Sequence, residues 1–467
     1  MSITSLASRI AGHCPSALCA VVLVTGLTAS ASAQAPQVIT VHETAGYTGQ
    51  LGVDAHGGAV VAWSESLTRR ATYSVLARMR RPGGMFSAPQ RLSSAEVEGP
   101  FALAVGARGD AAVVWRQHVP GRNARAVLVA RARPSGRFGK PVTIASGPAA
   151  ELAVAIDARG RLLVTMLRAV GRVGCGREVV ASVSPPMGRL RPPRRVSAAC
   201  PNAAMLSAAL ARDGRGAIAW RSGRSSESER TRFAVQVSTY ARGRFSGPLT
   251  VSRGRVWYGR PALAAGGAHM LVAWRDRVRT TRAGLAQGRV RSATIDGGVV
   301  GAPVDISTSE AIEGDVYAAM NHMDAAIVSW TQRAAGDDGN RVAIRAARGA
   351  RFAPAEEISP CASGAQPNGS GRDHLDSAAH AALDGSGRAV AVFSGSCGYG
   401  VGAARRPAGG PWQPPFGLQT QAETGAFRIL SVGVSDAGEA VTAWWKQGPD
   451  AAGFDDAQLN VAVLPTP

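Results

Sequence analysis

Lysine is almost absent from this chain: of 52 basic residues only Lys140 and Lys446 are lysines, which leaves 50 arginines. The formal net charge of +20 is therefore an arginine surplus scattered among glycine and alanine. It differs from the clustered basic face with which proteins displace counterions from nucleic-acid phosphate, so nucleic acid is not the expected partner. Long apolar runs are missing as well. After residue 33 no segment reaches the ~20 apolar residues that a membrane-spanning helix needs, so no transmembrane span is expected. Cysteine is sparse. Cys14 and Cys19 fall within the first 33 residues, and Cys175, Cys200, Cys361 and Cys397 remain. No C-x-x-C pair occurs among these four, which argues against a four-cysteine metal site. Also missing are the P-loop, the dinucleotide fingerprint, the Gly-x-Ser-x-Gly elbow and the His-Glu-x-x-His zinc motif, so no common linear signature of catalysis is present.

The first 33 residues have the build of a cleaved export signal. Arg9 supplies the positive region, Ala17 to Ala29 the apolar region, and Ala31-Ser32-Ala33 the small-residue cleavage site. The expectation is a secreted, extracellular mature chain that begins at Gln34 and works as a monomer. Four cysteines in such a compartment imply two disulfides. Three pairings are open. Cys175 with Cys200 and Cys361 with Cys397 each close a loop within one repeat and its border, and each would stabilise the fold by ~3 to 4 kcal/mol.

What the chain has in quantity is repetition. Eight apolar runs end in a large side chain, at Trp63, Trp115, Met166, Trp220, Trp274, Trp330, Phe393 and Trp444, separated by 52, 51, 54, 54, 56, 63 and 51 residues. A period near fifty is the mark of a repeat architecture. In the copy from Phe101 to Gly147, FALAVGA and AAVVW have strand lengths, AVLVARARP alternates apolar and polar, and RFGKPVTIAS closes the unit as a fourth strand. Four-stranded antiparallel units of this length are propeller blades. The eighth copy supplies only three strands before the chain ends, while Ala35 to Val41 resembles the fourth strands Ala88 to Ser93 and Ala302 to Ser307. The expected fold is thus all-β, a single domain over 34–467 forming an eight-bladed β-propeller closed by its N-terminal strand, with seven blades the alternative count. The blades are expected at 51–94, 101–147, 150–198, 205–252, 261–308, 315–360, 377–418 and 429–467 with 35–43.

Turn chemistry repeats too. Asp54, Asp157, Asp384 and Asp436 precede Gly57, Gly160, Gly387 and Gly438, each glycine six residues before its marker. Glycine can take the positive φ of a tight hairpin, and aspartate can accept from the backbone two residues on, so these acids are expected to shape turns. On this repeat pattern the chain resembles the secreted bacterial β-propellers of the sialidase and Asp-box group. The resemblance implies the architecture. It does not bring an active site: the aromatic follows the glycine by six residues and not three, Arg-Ile-Pro is absent, and no tyrosine has an evident glutamate partner.

Candidate functional residues lie where the copies differ. The loops between second and third strands share one face of a propeller. In blades two to five they are rich in arginine, notably Arg116, Arg122, Arg125, Arg172, Arg177, Arg221, Arg224, Arg232, Arg275 and Arg277; in blades six and eight they carry Asp337, Asp338, Asp450, Asp455 and Asp456. A basic arc can hold an anionic polymer or an acidic protein surface through forked guanidinium contacts. Trp257 and Tyr258 lie outside the marker register, as does Trp412, and can offer aromatic contacts. The insertion in blade seven places Asp373, His374, Asp376 and His380 close together, a set that can hold calcium or another divalent ion. No other cofactor is expected. The function expected from these features is binding of a partner protein or extracellular glycan, without catalysis; the alternative is a glycan-active hydrolase or lyase whose carboxylates come from different blades.

Overall fold

The computed structural model describes residues 36–467 except 43–45, 69–71, 120–123, 135, 172–174, 199–201, 224–232, 253–254, 257–258, 281–285, 309, 335–336, 347–350, 360–378, 395–398, 421–425, 448–456 and 466–467. Ala35–Pro467 forms one compact unit. Its described residues contain strands and turns but no helix, and none of them offers a helix long and apolar enough to cross a membrane.

The architecture is an all-β propeller of eight four-stranded antiparallel blades. The first strands are Gly46–Val53, Ala102–Val105, Ala149–Ile156, Ala203–Leu210, Ala262–Ala265, Glu310–Met320, His380–Leu383 and Ala426–Val434. Each touches the first strands of both neighbours, and the cycle returns from Ala426–Val434 to Gly46–Val53. Closure comes from the N-terminus. Gln37–His42 pairs antiparallel with Ala457–Leu464, the third strand of blade eight, in the register Gln37 with Val463 and Ile39 with Val461. The last blade thereby gains its fourth strand, and neither chain end leaves an unpaired third strand. Blades five and six are further joined where Gln287 and Gly288 pair with Ala311 and Glu310. The outermost strands are short, two residues at Gln90–Arg91, Arg194–Arg195 and Val304–Asp305. A proline precedes several of them (Pro89, Pro141, Pro248, Pro303). Lacking an N–H, it blunts the exposed edge against further pairing.

The core is divided among the blade boundaries. Among the described residues eight apolar clusters occur, each built from the facing strands of two neighbouring blades. All eight marker side chains are buried, none more than 2% exposed. The indole N–H groups of five of the six marker tryptophans find side-chain acceptors. Trp115, Trp274 and Trp330 donate to the acceptor two residues on, Gln117 at 3.0 Å, Asp276 at 2.7 Å and Gln332 at 3.4 Å. Trp220 uses Gln236 at 3.1 Å and Trp444 uses Gln419 at 2.6 Å. A buried donor without a partner costs ~1 to 3 kcal/mol, so these acceptors belong to the packing device.

The turns between first and second strands share one face with the turns between third and fourth, hereafter the turn face. Asp54 Oδ1 accepts the N–H groups of His56 and Gly58, both at 2.8 Å, and Asp157 and Asp384 repeat the pattern. The glycine three places on has φ of +90° at Gly57, +75° at Gly160 and +87° at Gly387. Blade eight departs from the expectation. Ser435, not Asp436, occupies the aspartate position and accepts from Glu439 N–H at 3.1 Å, because Asp436 stands only two residues before Gly438. Asp436 is free to approach His322 of blade six, its Oδ1 3.3 Å from Nδ1. In blade six Asn321 is the turn former, and Asp324 takes the glycine's place at φ +64°.

These turns also tie the ring together, with a hydrogen bond at every blade boundary. In order round the ring the pairs are Ala55 N–H to Ala107 O, Arg131 to Gly188 O, Arg161 to Gly214 O, and Arg212 N–H to Gly266 O. The cycle continues with His269 to Asp324, Asn321 to Asp384 O, Arg388 to Asp436 O, and Asp436 N–H back to Ala55 O. The tie between blades five and six is the most polar. His269 is buried, with Nδ1 2.6 Å from Asp324 and Nε2 3.1 Å from Asp296. Burial opposes ionisation of Asp324, but bonds from the His269 ring and from the backbone N–H groups of His269 and Ala268 outweigh it and hold the carboxyl below the ordinary range. A carboxylate whose folded pKa is depressed contributes stability above its unfolded pKa of ~3.9, and that contribution is lost as pH falls through the lower folded value. Asp324→Asn is expected to lower the thermal midpoint at neutral pH and to flatten the loss of stability below about pH 4. Thermal unfolding of both proteins across that range checks this; parallel curves would rule out the tie as an acid-sensitive element.

Candidate binding face

The loops between second and third strands, together with the connections between blades, make the opposite face, called here the loop face. The arginines there fall into two classes. Arg116, Arg221 and Arg275 directly follow a buried marker in the second strand, and strand alternation turns them toward the opposite side of the blade. Arg116 is half-buried, and its Nη1 donates to the carbonyl of Ala149 at the start of blade three. Arg221 is 6% exposed with its guanidinium 4.1 Å over the Phe233 ring, and Arg275 is 9% exposed. The expectation of rim positions for Arg221 and Arg275 is corrected accordingly: they are packed within the blades, and Arg116 bridges two of them.

Arg125 and Arg177 open the third strands of blades two and three and are exposed. Arg125 meets a carboxylate from the neighbouring connection. Glu98, in the connection from blade one, sits 2.7 Å from Arg125 Nε through Oε2 and 2.7 Å from His118 Nε2 through Oε1. Burial lowers the pKa of Arg116; Glu98 opposes this, whereas Arg125 and Arg177 add to it, so Arg116 lies within electrostatic reach of both of these guanidinium groups. Arg168 is matched separately, 2.6 Å from Glu178. The arrangement sets Arg116 near two further arginines and near Glu98, which also engages Arg125 and His118. Glu98 and His118 were not legible as site residues, because nothing in their local sequence marks a connection that crosses to the next blade. Arg122, Arg172, Arg224, Arg232, Trp257 and Tyr258 lie outside the described residues. Arg277 is described only in its backbone, which pairs with Arg255.

The first strands open at the loop face onto the central channel. Two carboxylates there are engaged with the neighbouring blade: Glu151 accepts the Leu206 N–H at 2.9 Å and Asp315 the Arg260 N–H at 3.4 Å. His380 belongs to this region and not to the insertion. It starts the first strand of blade seven, is 7% exposed, and its ring centroid lies 3.6 Å from that of Tyr317. Nε2 is buried and makes no hydrogen bond. Burial, and secondarily the charge of Arg428, push its pKa down to about 3. Asp373, His374 and Asp376, the other members of the expected metal set, lie outside the described residues, as do Cys200, Cys361 and Cys397. Among the described residues no group of three His, Cys, Asp or Glu side chains is placed to hold a metal. Asp337 and Asp338 do not form a loop: Asp337–Arg345 is a strand, with Asp338 opposite Arg333 and Asn340 opposite Thr331. Trp412 packs against the cluster between blades six and seven, which explains its place outside the marker register.

No family model matches the chain, and no curated protein does. Solved structures do resemble it. The α-L-arabinanase of Penicillium chrysogenum is 11% identical, with 92% of this chain and 99% of that chain covered and a TM-score of 0.43. The β-propeller domain of the trilobed protease from Pyrococcus furiosus is 10% identical over 78% and 92%, with a TM-score of 0.43. A Hadza microbial sialidase is 13% identical over 65% of each chain, with a TM-score of 0.39. The fold itself rests on the strand pairing above.

Two outcomes follow from this geometry. Arg116→Ala, which removes a bond across a blade boundary, is expected to cost roughly 1 to 3 kcal/mol in denaturant unfolding, whereas Arg125→Ala at the exposed end of its strand stays within about 0.5 kcal/mol. Equal effects would contradict the division into two classes. His380 is neutral at pH 7. Because the unfolded chain takes up its proton near pH 6.5 and the folded chain only near pH 3, folding stability declines as pH falls between those values. Ring resonances of His380 that titrate near the ordinary histidine pKa would overturn its assignment as a buried neutral side chain.

Proposed function

We propose that this chain is an exported, non-enzymatic propeller that binds an anionic partner, an acidic extracellular glycan or acidic protein surface, at its loop face above blades two and three. The observation that carries the reading is the cluster in which Arg116 lies within electrostatic reach of Arg125 and Arg177, while the carboxylate Glu98 pairs with Arg125. Guanidinium groups present forked donors matched to carboxylate and sulfate, and an incompletely neutralised set of them attracts anions. Export belongs to the same reading: the leader at 1–33 supplies the route. Cys175, which is disulfide-bonded, would pair with Cys200 and Cys361 with Cys397. Among the described residues, Glu151 and Asp315 at the channel mouth are each engaged by a backbone N–H of the neighbouring blade, which supports binding over hydrolysis.

The test is a double substitution, Arg125→Ser with Arg177→Ser, assayed on an acidic glycan panel at low and moderate salt. The expected result is salt-sensitive binding by the parent and a loss of about tenfold, ~1.4 kcal/mol, in the variant at unchanged thermal midpoint. Retained affinity would reject the loop-face site. Shortened glycan products in the parent reaction would instead favour a hydrolase or lyase.

A further inference from the structure

The turn face carries a second and denser concentration of positive charge. In blades two to four the turns at 106–110, 133–140, 157–161, 184–191, 211–215 and 241–244 contain ten exposed cations, among them Arg133, Arg159, Arg191, Arg212 and Arg242, against one exposed acid among the described residues. That acid, Asp213, is taken by Arg215 at 2.5 Å. Composition does not explain the distribution, because the corresponding turns of blade five, 265–269 and 296–301, contain no arginine or lysine. Within this sector lies a cleft of about 270 Å3 between blades three and four. Arg161, Arg191 and Arg242 stand around it, with Tyr240, Pro185 and Pro186 supplying apolar wall. Arg161 is held to Gly214 O and lies 3.7 Å from Asp157, while Arg191 and Arg242 are exposed and have no ion pair among the described residues.

Arg242 has a further peculiarity. It adopts φ +50° in the turn Ala241-Arg242-Gly243-Arg244, followed by Gly243 at +80°. This left-handed position favours glycine or asparagine, and a long side chain there costs of order 1 kcal/mol. A local rule broken at an exposed charged position, on the rim of a cleft, is the pattern expected where side-chain identity serves binding and not folding.

We propose that this cleft and the surrounding turn-face arginines form a second anion-binding surface whose ligand is an acidic polysaccharide, one carboxylated or sulfated sugar unit entering the cleft. The apolar wall suits the C–H face of a sugar ring, and the guanidinium groups at the mouth suit its charged substituent. A nucleic acid is less well matched. Single strands are held by bases stacked on exposed aromatic rings, and in these turns Phe138 and Tyr240 are 5% and 7% exposed.

The experiment compares three proteins: the parent, the turn-face double Arg191→Ser with Arg242→Asn, and the loop-face double Arg125→Ser with Arg177→Ser. The probes are polygalacturonate, a heparin fragment, neutral dextran and a single-stranded DNA of matched charge. Parent binding to one or both acidic polysaccharides and not to dextran is expected. The turn-face double should weaken it by about tenfold or more while keeping or raising the thermal midpoint, since asparagine relieves the strained turn. Unchanged affinity in that variant overturns the proposal, as does tighter binding of the DNA than of either polysaccharide. The loop-face double separates the two surfaces. Loss only there supports the loop-face site and rejects this one; loss only in the turn-face double does the reverse.

Discussion

A four-stranded blade of this size cannot cover its own second strand, so each must borrow a covering face from the next, and the fold depends on that contact being made eight times in a closed cycle. The marker side chains are placed for it. An indole or its equivalent, set where the second strand is most buried, provides the largest apolar area available to a single residue. Complete withdrawal from water then makes the indole N–H a liability. Trp-x-Gln at 115–117 and 330–332 and Trp-x-Asp at 274–276 answer it with an acceptor on the same side of the strand. Trp63 is the exception, its Nε1 making no hydrogen bond while its ring lies 5.1 Å from that of His42.

The turn face does for the ring what these side chains do for each interface. A strand pair at the N-terminus closes the last blade, but it fixes only the outer edge of that blade. The hydrogen bonds from turn to turn run round the inner part, where the first strands meet, and they use whatever the local turn offers: a backbone N–H at Ala55, a guanidinium at Arg161, an imidazole at His269. Gly385 shows how tightly this is drawn. Any Cβ there would meet the His322 ring, which crosses the turn of blade seven to reach Asp436 of blade eight.

The architecture was legible in the sequence because period, strand length and turn chemistry agreed in nearly every copy. Ring closure was legible for the same reason, Ala35 to Val41 resembling a fourth strand and no other element. Sites were harder. Arg221 and Arg275 looked like rim residues by their distance along the chain, yet strand alternation packs them beside the marker, and alternation is obscured when a wholly apolar run ends in Trp-Arg. His380 was grouped with the insertion before it by proximity in sequence, whereas it starts the first strand of blade seven against Tyr317. Asp436 was read one place out of register, because a Ser-Asp pair offers two candidate acceptors for one turn. In each case the missing information was which side of a strand, or which residue of a pair, faces the neighbouring blade, and that is set by tertiary packing and not by local pattern.

The same packing accounts for the uneven charge. The chain has 32 acidic residues against 52 basic ones, and the described acids are unusually occupied. Asp54, Asp157 and Asp384 each accept two N–H groups of their own turn, Glu151 and Asp315 accept from the adjacent blade, and Asp324 accepts from His269. A propeller needs many acceptors at fixed turn positions and few donors, since the donors are backbone N–H groups already present. Carboxylates are therefore drawn into the scaffold, where they are buried or half-buried, while arginines remain at turn tips and strand ends. An exposed surplus of guanidinium groups arises even before any ligand is considered. What composition and scaffold demand do not produce is its concentration in particular blades, and the anionic ligand is to be sought where that concentration and an unpaired cleft coincide.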